Sequence, residues 1–79
     1  MKTQTQLARA LAARLKATRE AKGSSVLDVA EAIGISHRAL ASMENGDYAP
    51  NWWQMYQLAC HYSVGPGWLA FGDAEDPAS

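Results

Sequence analysis

The middle of this chain contains a break of about three residues between two helical patterns, and this break constrains the fold more than any other feature. Gly34 allows the positive φ that a sharp turn requires, and Ser36 is a good N-cap for a new helix. The helix before the break is predicted to start after Ser25 and to run to about Ile33, and the helix after it ends at Gly46. Two short helices are therefore tied together through a tight turn.

Three further helices are predicted around this pair. Helix formers and leucines spaced four apart indicate a helix over residues 5–22. Asn51 is a good N-cap for a helix that runs to about Tyr62, and a short last helix covers residues 68–71. No alternating strand pattern occurs, so the predicted fold class is all-α with five short helices.

Length and composition indicate one folded domain. A chain of 79 residues fits a single domain, with no room for a separate catalytic or effector-binding one. A hydrophobic fraction of 48%, with three Trp and three Tyr, supplies enough apolar surface for a packed core. We therefore expect one compact domain over residues 1–79, with its core at about 5–72 and an acidic tail at 73–79.

The apolar stripes of the five helices predict the core. The residues expected there are Leu7, Leu11, Leu15, Val29, Ala30, Ile33, Ile35, Leu40, Met43, Trp52, Met55, Leu58, Ala59 and Tyr62. Trp68, Phe71 and the single cysteine, Cys60, are also interpreted as core residues.

Several classes of protein are poorly supported. No apolar run approaches the roughly 20 residues of a membrane span, and the basic start lacks a signal-like apolar block, so we expect a cytoplasmic protein. One cysteine and two histidines cannot form a nucleophile, base and acid set, which argues against an enzyme. Cys60 and His61 are adjacent and point about 100 degrees apart on a helix, so no metal or cofactor is expected.

Charge is distributed unevenly along the chain, although the net charge is only −1. Every Lys and Arg lies at or before Arg38, whereas residues 39–79 carry acids and no base. A surface that faces phosphates would therefore have to draw on the first half of the chain.

The two central helices match the arrangement that places a helix in the DNA major groove. Periodicity puts one polar stripe on the outer face of the second helix. Its members are His37, Arg38, Ala41, Ser42 and Asn45. This pattern predicts a helix-turn-helix whose second helix contacts double-stranded DNA.

Longer stretches of the chain also carry a resemblance. The segments RLKATREAKG, DVAEAIGIS, MENGDYAP, QLACHYSV and WLAFG follow one another between residues 11 and 72. In this order they resemble the phage-repressor-like family of helix-turn-helix regulators, the Cro and xenobiotic-response-element type. The resemblance implies a compact five-helix lambda-repressor-like DNA-binding domain, acting at the nucleoid of a bacterial or phage-infected cell.

The resemblance also implies roles for individual residues. Base-reading positions correspond to His37, Arg38 and Ser42, and the methyl group of Ala41 can pack on thymine. Phosphate-contacting positions correspond to Ser25, Val26, Asn45 and Asn51. Arg19 and Glu44 are expected to form a structural salt bridge.

A symmetric homodimer at a pseudo-palindromic operator is expected, because one short helix reads only a few base pairs. The residues expected at the dimer contact are Pro66, Leu69, Phe71, Trp53 and Tyr56.

Two departures from the family pattern bear on function. Val26 stands where the family usually has Gln, and Leu27 beside it is normally polar. Asp47 and Tyr48 stand where the family tends to supply Lys or Arg. These departures predict weaker phosphate binding than in typical relatives.

The leading interpretation is a sequence-specific regulator, most simply a repressor that occupies an operator. The alternative is a protein-interaction module that keeps the fold, for example an antirepressor or an antitoxin, and uses Val26, Leu27 and the acidic second half.

Overall fold

The computed structural model describes residues 4–72 of the chain. Within that range it contains five helices and no strand, which confirms the predicted all-α fold. The helices are α1 (Gln4–Ala21), α2 (Val26–Ile33), α3 (His37–Asn45), α4 (Trp52–Tyr62) and α5 (Pro66–Phe71). The prediction missed the first turn of α5, where proline is suited to the first helical position because it has no N–H to leave unpaired.

Side-chain caps define where the three central helices begin. The hydroxyl of Ser25 accepts from the Asp28 backbone N–H at 3.0 Å, and that of Ser36 accepts from Ala39 at 3.1 Å. The Oδ1 of Asn51 accepts from the Gln54 N–H at 2.8 Å, while Gln54 Oε1 accepts from the Asn51 N–H. These bonds satisfy amides that a helix start leaves free, so the local sequence fixes each start.

The turn between α2 and α3 is three residues long and has left-handed geometry at its first position. Gly34 adopts φ 79°, and the next amide, that of Ile35, donates to the Ala30 carbonyl at 3.0 Å. This is the bond pattern of a helix end closed by glycine. A residue with a Cβ is disfavoured at position 34, which explains why glycine marks the break.

The core lies among all five helices. Helix α1 packs against α3 and α5, α2 packs against α3 and α4, and α4 packs against α5. The buried apolar residues of the core are Ala12, Leu15, Val29, Ala30, Ile33, Leu40, Met43, Met55, Leu58, Ala59, Tyr62 and Leu69. No helix in residues 4–72 combines the length and apolar character that crossing a membrane requires.

A salt bridge links the end of α1 to the end of α3. Arg19 donates from Nε to Glu44 Oε2 at 2.8 Å and from Nη2 to Oε1 at 3.0 Å. Its Nη1 donates to the carbonyl of Ser24, just before α2, at 2.9 Å. The hydrogen bonds to Glu44 raise the pKa of Arg19 above its ordinary value. Since both side chains are largely buried, the bridge fixes α3 relative to α1 and to the start of α2.

A second arginine closes the C-terminal end of the fold. Arg14 donates from Nε to the Leu69 carbonyl at 2.9 Å and from Nη2 to the Ala70 carbonyl at 3.0 Å. These carbonyls lie in the last turn of α5, where a helix leaves acceptors free and carries negative partial charge. The guanidinium therefore holds α5 against α1.

Four residues that were predicted to be buried are exposed. Trp52 and Phe71 are each 78% exposed, Leu7 is 54% exposed, and Cys60 is exposed. Periodicity does put Trp52 on the face of Ala59, but the first turn of α4 borders an open groove toward α5. Phe71 ends α5 beside the same groove, and the core position next to Cys60 is taken by Ala59. The prediction of these residues as core was wrong.

The Arg19–Glu44 bridge predicts a large loss of stability when one partner is removed. Glu44→Ala leaves a mostly buried guanidinium without its carboxylate, and we expect the free energy of unfolding to fall by about 3 kcal/mol. For a domain of this size that corresponds to a melting temperature lower by about 10 °C or more. Glu31→Ala, which removes an exposed acid from α2, is the control and should melt like the wild type.

The phenol of Tyr62 predicts a loss of stability at high pH. Its hydroxyl is buried without a hydrogen-bond partner among the described residues, and burial, assisted by the charge of Glu44, raises the pKa of Tyr62 to about 12 from 10.0. Between these values the folded chain holds a proton that the unfolded chain loses, so the free energy of unfolding falls as pH rises. Denaturant unfolding at pH values across this window should show the fall for the wild type. A pH dependence that is unchanged in Tyr62→Phe would contradict the assignment.

Candidate nucleic-acid interface

Helix α3 presents a polar stripe directly after the tight turn. His37 and Arg38 occupy the first two positions of the helix and are exposed, and Asn45 is exposed at its last position. Ala41 and Ser42 lie between them and are partly buried. Because these positions repeat every three or four residues, they share one face of α3, while Leu40, Met43 and Glu44 are buried.

Arg38 and His37 supply the hydrogen-bonding groups at the start of this stripe. The guanidinium of Arg38 has the fork geometry that matches two acceptors on a base edge, and an imidazole can donate or accept. The buried residues of α3 hold the helix in the fold, so the stripe is presented on a rigid element.

Two of the residues to which the family resemblance assigns phosphate contacts, Ser25 and Asn51, are the N-caps of α2 and α4. The Oγ of Ser25 accepts from Asp28 and keeps its own hydrogen for a further acceptor. The Oδ1 of Asn51 accepts from Gln54, which leaves the Nδ2 hydrogens of that amide to donate elsewhere. Asn45, at the other end of α3, is exposed.

Val26 does not supply a side-chain phosphate contact. Its side chain is partly buried and packs against the core, and it has no polar atom. What position 26 offers instead is a backbone N–H in the first turn of α2, where helix amides have no intrahelical partner. Leu27, the next residue, has 54% of its surface exposed although its side chain is apolar.

Exposed acidic side chains outnumber basic ones on the segment that contains α2 and α3. Exposed acids stand at Asp28, Glu31 and Asp47, whereas Arg38 is the only Lys or Arg between residues 25 and 47. Glu44 is neutralised by Arg19. The attraction of this face for phosphates is therefore weak, because non-specific affinity depends on the number of paired cations.

The other exposed Lys and Arg side chains among the described residues lie on α1 or directly after it. Arg9 and Lys16 are seven positions apart and so share a face of that helix, and Lys22 follows its end. Arg14 and Arg19 are engaged in the contacts with α5 and α3 described above.

The region predicted as a dimer contact is only partly available. Pro66 and Phe71 are exposed, and Trp53 and Tyr56 are about half exposed. Leu69, in contrast, is fully buried in the core beneath α5, so its side chain cannot reach another molecule and its prediction as a contact was wrong.

Sequence reasoning missed two residues that shape this region. Arg14 contacts Leu69 and Ala70, which lie 55 and 56 positions further along the chain. No local sequence pattern predicts a contact over that separation. Trp52 was assigned to the core because its position fits the apolar stripe. The available signal was its place in the first helical turn, where a stripe residue can lie beyond the elements that cover the rest of the helix.

No group of three or more His, Cys, Asp or Glu side chains in residues 4–72 is arranged to hold a metal ion. His61 instead contacts Tyr62 edge to face, with ring centroids 5.4 Å apart.

The chain matches a known protein family. Residues 10–69 match the model of a family described as a helix-turn-helix domain, and this range extends from α1 into α5. No curated protein and no solved structure matches the chain. Since the matched range covers most of the chain, this protein belongs to the helix-turn-helix domain family.

Proposed function

We propose that this protein is a sequence-specific regulator that binds double-stranded DNA, most simply a repressor. The helix-turn-helix domain indicates a DNA-binding regulator. The observation that carries the proposal is the exposed start of α3, where His37 and Arg38 follow a capped three-residue turn. A bound repressor of this kind acts by occupying the site that polymerase needs.

In this proposal α3 lies in the major groove and reads bases. Arg38 donates to the O6 and N7 acceptors of a guanine, which its planar guanidinium fits. His37 and Ser42 contact neighbouring base edges, and the Ala41 methyl group packs on a thymine. Ser25, Asn45 and Asn51 position the helix through phosphate oxygens, together with the free amides that start α2.

The finer features of the proposal follow the resemblance to phage-repressor-like regulators. The whole chain acts as a single domain, and two copies bind a pseudo-palindromic operator whose half-sites lie about one helical turn, roughly 10 base pairs, apart. Two copies are needed because one nine-residue α3 spans only a few base pairs.

One alternative is favoured by a specific observation. Leu27 is exposed on α2 close in sequence to the acids Asp28 and Glu31, which is a surface better suited to a basic, partly apolar protein than to phosphates. In this alternative the chain is a protein-interaction module, such as an antirepressor or an antitoxin.

A gel-shift titration separates the two functions. The protein is titrated against duplex DNA from upstream of its own gene and against random duplex DNA, at several salt concentrations. We expect specific retardation with a shallow salt dependence, because few cations face the backbone. If no duplex is retarded even at low salt, the interaction module becomes the better explanation.

Arg38→Ala tests whether α3 reads bases. Loss of a bidentate contact to guanine should cost about 1 to 3 kcal/mol on the cognate site and relax the preference at one base pair per half-site. Lys16→Ala removes the same charge from an exposed position on α1 and is the control. An unchanged ratio of cognate to random affinity in Arg38→Ala would show that α3 is not the reading element.

Asn45→Ala tests the contacts that hold the helix in place. A phosphate contact carries no base information, so binding should weaken by a similar factor on cognate and random duplexes. Since Asn45 is uncharged, the slope of affinity against salt concentration should stay as in the wild type. A loss confined to the cognate duplex would instead make Asn45 a base-reading residue.

A further inference from the structure

A pocket between α1 and α5 lies on a part of the fold that takes no part in the proposed reading of DNA. It measures about 360 Å³, in the lower part of the range of about 300 to 1,000 Å³ for small-molecule sites. Residues of α1 and α5 line it together with Ala49, which precedes α4, and no residue of α2, α3 or α4 does. We call it the α1–α5 pocket.

The walls of the α1–α5 pocket are almost entirely apolar. Leu7 and Leu11 line it from α1, and Ala70 and Phe71 line it from α5. Leu7 is 54% exposed and Phe71 is 78% exposed, so much of their apolar surface is available to pack on a bound molecule. Covering such surface is favourable, because apolar area gains free energy when it leaves water.

The guanidinium of Arg14 is the polar group of this pocket. Its Nε and Nη2 donate to the carbonyls of Leu69 and Ala70, whereas no residue in the range 4–72 accepts from Nη1. Nη1 lies against Gly72, where an added Cβ would come within 2.7 Å of it. Glycine at position 72 therefore leaves room for the end of the guanidinium that still has hydrogens to donate.

The charge of Arg14 has no carboxylate to neutralise it within the described residues. Its acceptors are neutral carbonyls, and the carboxylate of Glu44 pairs with Arg19 instead. No Asp or Glu of the described range lines the α1–α5 pocket. The negative end of the α5 dipole offsets only part of a full charge. A partly buried cation in an apolar pocket favours an anion, and a guanidinium suits a carboxylate best.

We infer that the α1–α5 pocket binds a small organic acid with an apolar body. The carboxylate of the ligand accepts from Nη1 of Arg14, and its body packs on Leu7, Leu11 and Phe71. An inorganic anion would leave these apolar walls uncovered, so the walls select for a carboxylate that carries carbon. None of the residues assigned to base or phosphate contacts lines the pocket, so the inference does not depend on DNA binding.

An NMR titration of the full chain with phenylbutyrate tests the site. We expect saturable shifts at the backbone amides of Leu7, Ala70 and Phe71, with a dissociation constant of about 1 mM or tighter for a ligand of this size. Phenylbutyramide has the same apolar body without the charge. It should bind roughly tenfold more weakly, because hydrogen bonds to an ionised group are about twice as strong as neutral ones.

Arg14→Gln removes the charge from the pocket. In this variant phenylbutyrate should bind no better than phenylbutyramide. Arg9→Gln removes an exposed charge of α1 outside the pocket, is the matched control, and should change the dissociation constant less than about twofold. Since Arg14 also holds α5 against α1, helical content and melting temperature show whether the variant is folded.

Leu7→Asp tests the same site without touching that contact. Leu7 and Arg14 lie seven positions apart on one face of α1 and both line the pocket, so the new carboxylate sets a negative charge beside the guanidinium. Phenylbutyrate should then bind roughly tenfold more weakly, because like charges repel. Leu27→Asp places the same charge at a side chain that is also 54% exposed, outside the pocket, and should bind as the wild type does.

Three results would overturn the inference. They are an absence of saturable shifts at the pocket in the wild type, equal affinity for the acid and the amide, and an unchanged affinity in folded Arg14→Gln or in Leu7→Asp. The chain's own acids at positions 73, 75 and 76 are the other candidate occupants. If phenylbutyrate binds only after Asp73→Asn, Glu75→Gln and Asp76→Asn are combined, the guanidinium serves those acids and the small-molecule site is refuted. The gel-shift titration reports on the proposed function separately.

Discussion

The arrangement of the helices that surround the tight turn depends on one guanidinium. Arg19 binds both carboxylate oxygens of Glu44 and also the carbonyl of Ser24, so a single side chain joins the end of α1, the approach to α2 and the end of α3. The bridge is costly to break because both partners are largely removed from water. Caps and a left-handed glycine fix where α2 and α3 start and stop, but they do not fix the position of α3 relative to α1. That position comes from the bridge and from the buried side chains Leu40 and Met43.

The chain divides its charges and its apolar surface between two regions. Every charged side chain in the described range precedes Tyr48, and the exposed aromatic rings other than Tyr48 follow it. Near α3 the acids Asp28, Glu31 and Asp47 outnumber Arg38, so general attraction to the DNA backbone is small. Under the proposed function, selectivity therefore depends on direct contacts from α3 and on the joining of two copies, more than on electrostatic attraction.

Much of the fold could be predicted because its signals are local. Gly34 and Ser36 identified the turn, and Ser25 and Asn51 identified two helix starts, since capping depends on residues three positions apart. The outward stripe of α3 followed from helical periodicity alone. The residues of the stripe could thus be identified from the sequence, whereas their assignment as base-reading residues comes from the family resemblance. Their roles on DNA remain predictions.

What the sequence by itself determined is the set of helices, most of their ends and the polar stripe of α3, because these depend on interactions within one or two helical turns. Only the tertiary structure decided which stripe residues are covered, since burial depends on what packs over each turn. Leu7 and Trp52 fit their stripes but lie beyond the elements that cover the rest of α1 and α4, whereas Leu69 was expected at the surface and is buried. The contact of Arg14 with α5 and the groove beside Phe71 likewise exist only because distant segments meet, and no spacing along the chain encodes that meeting.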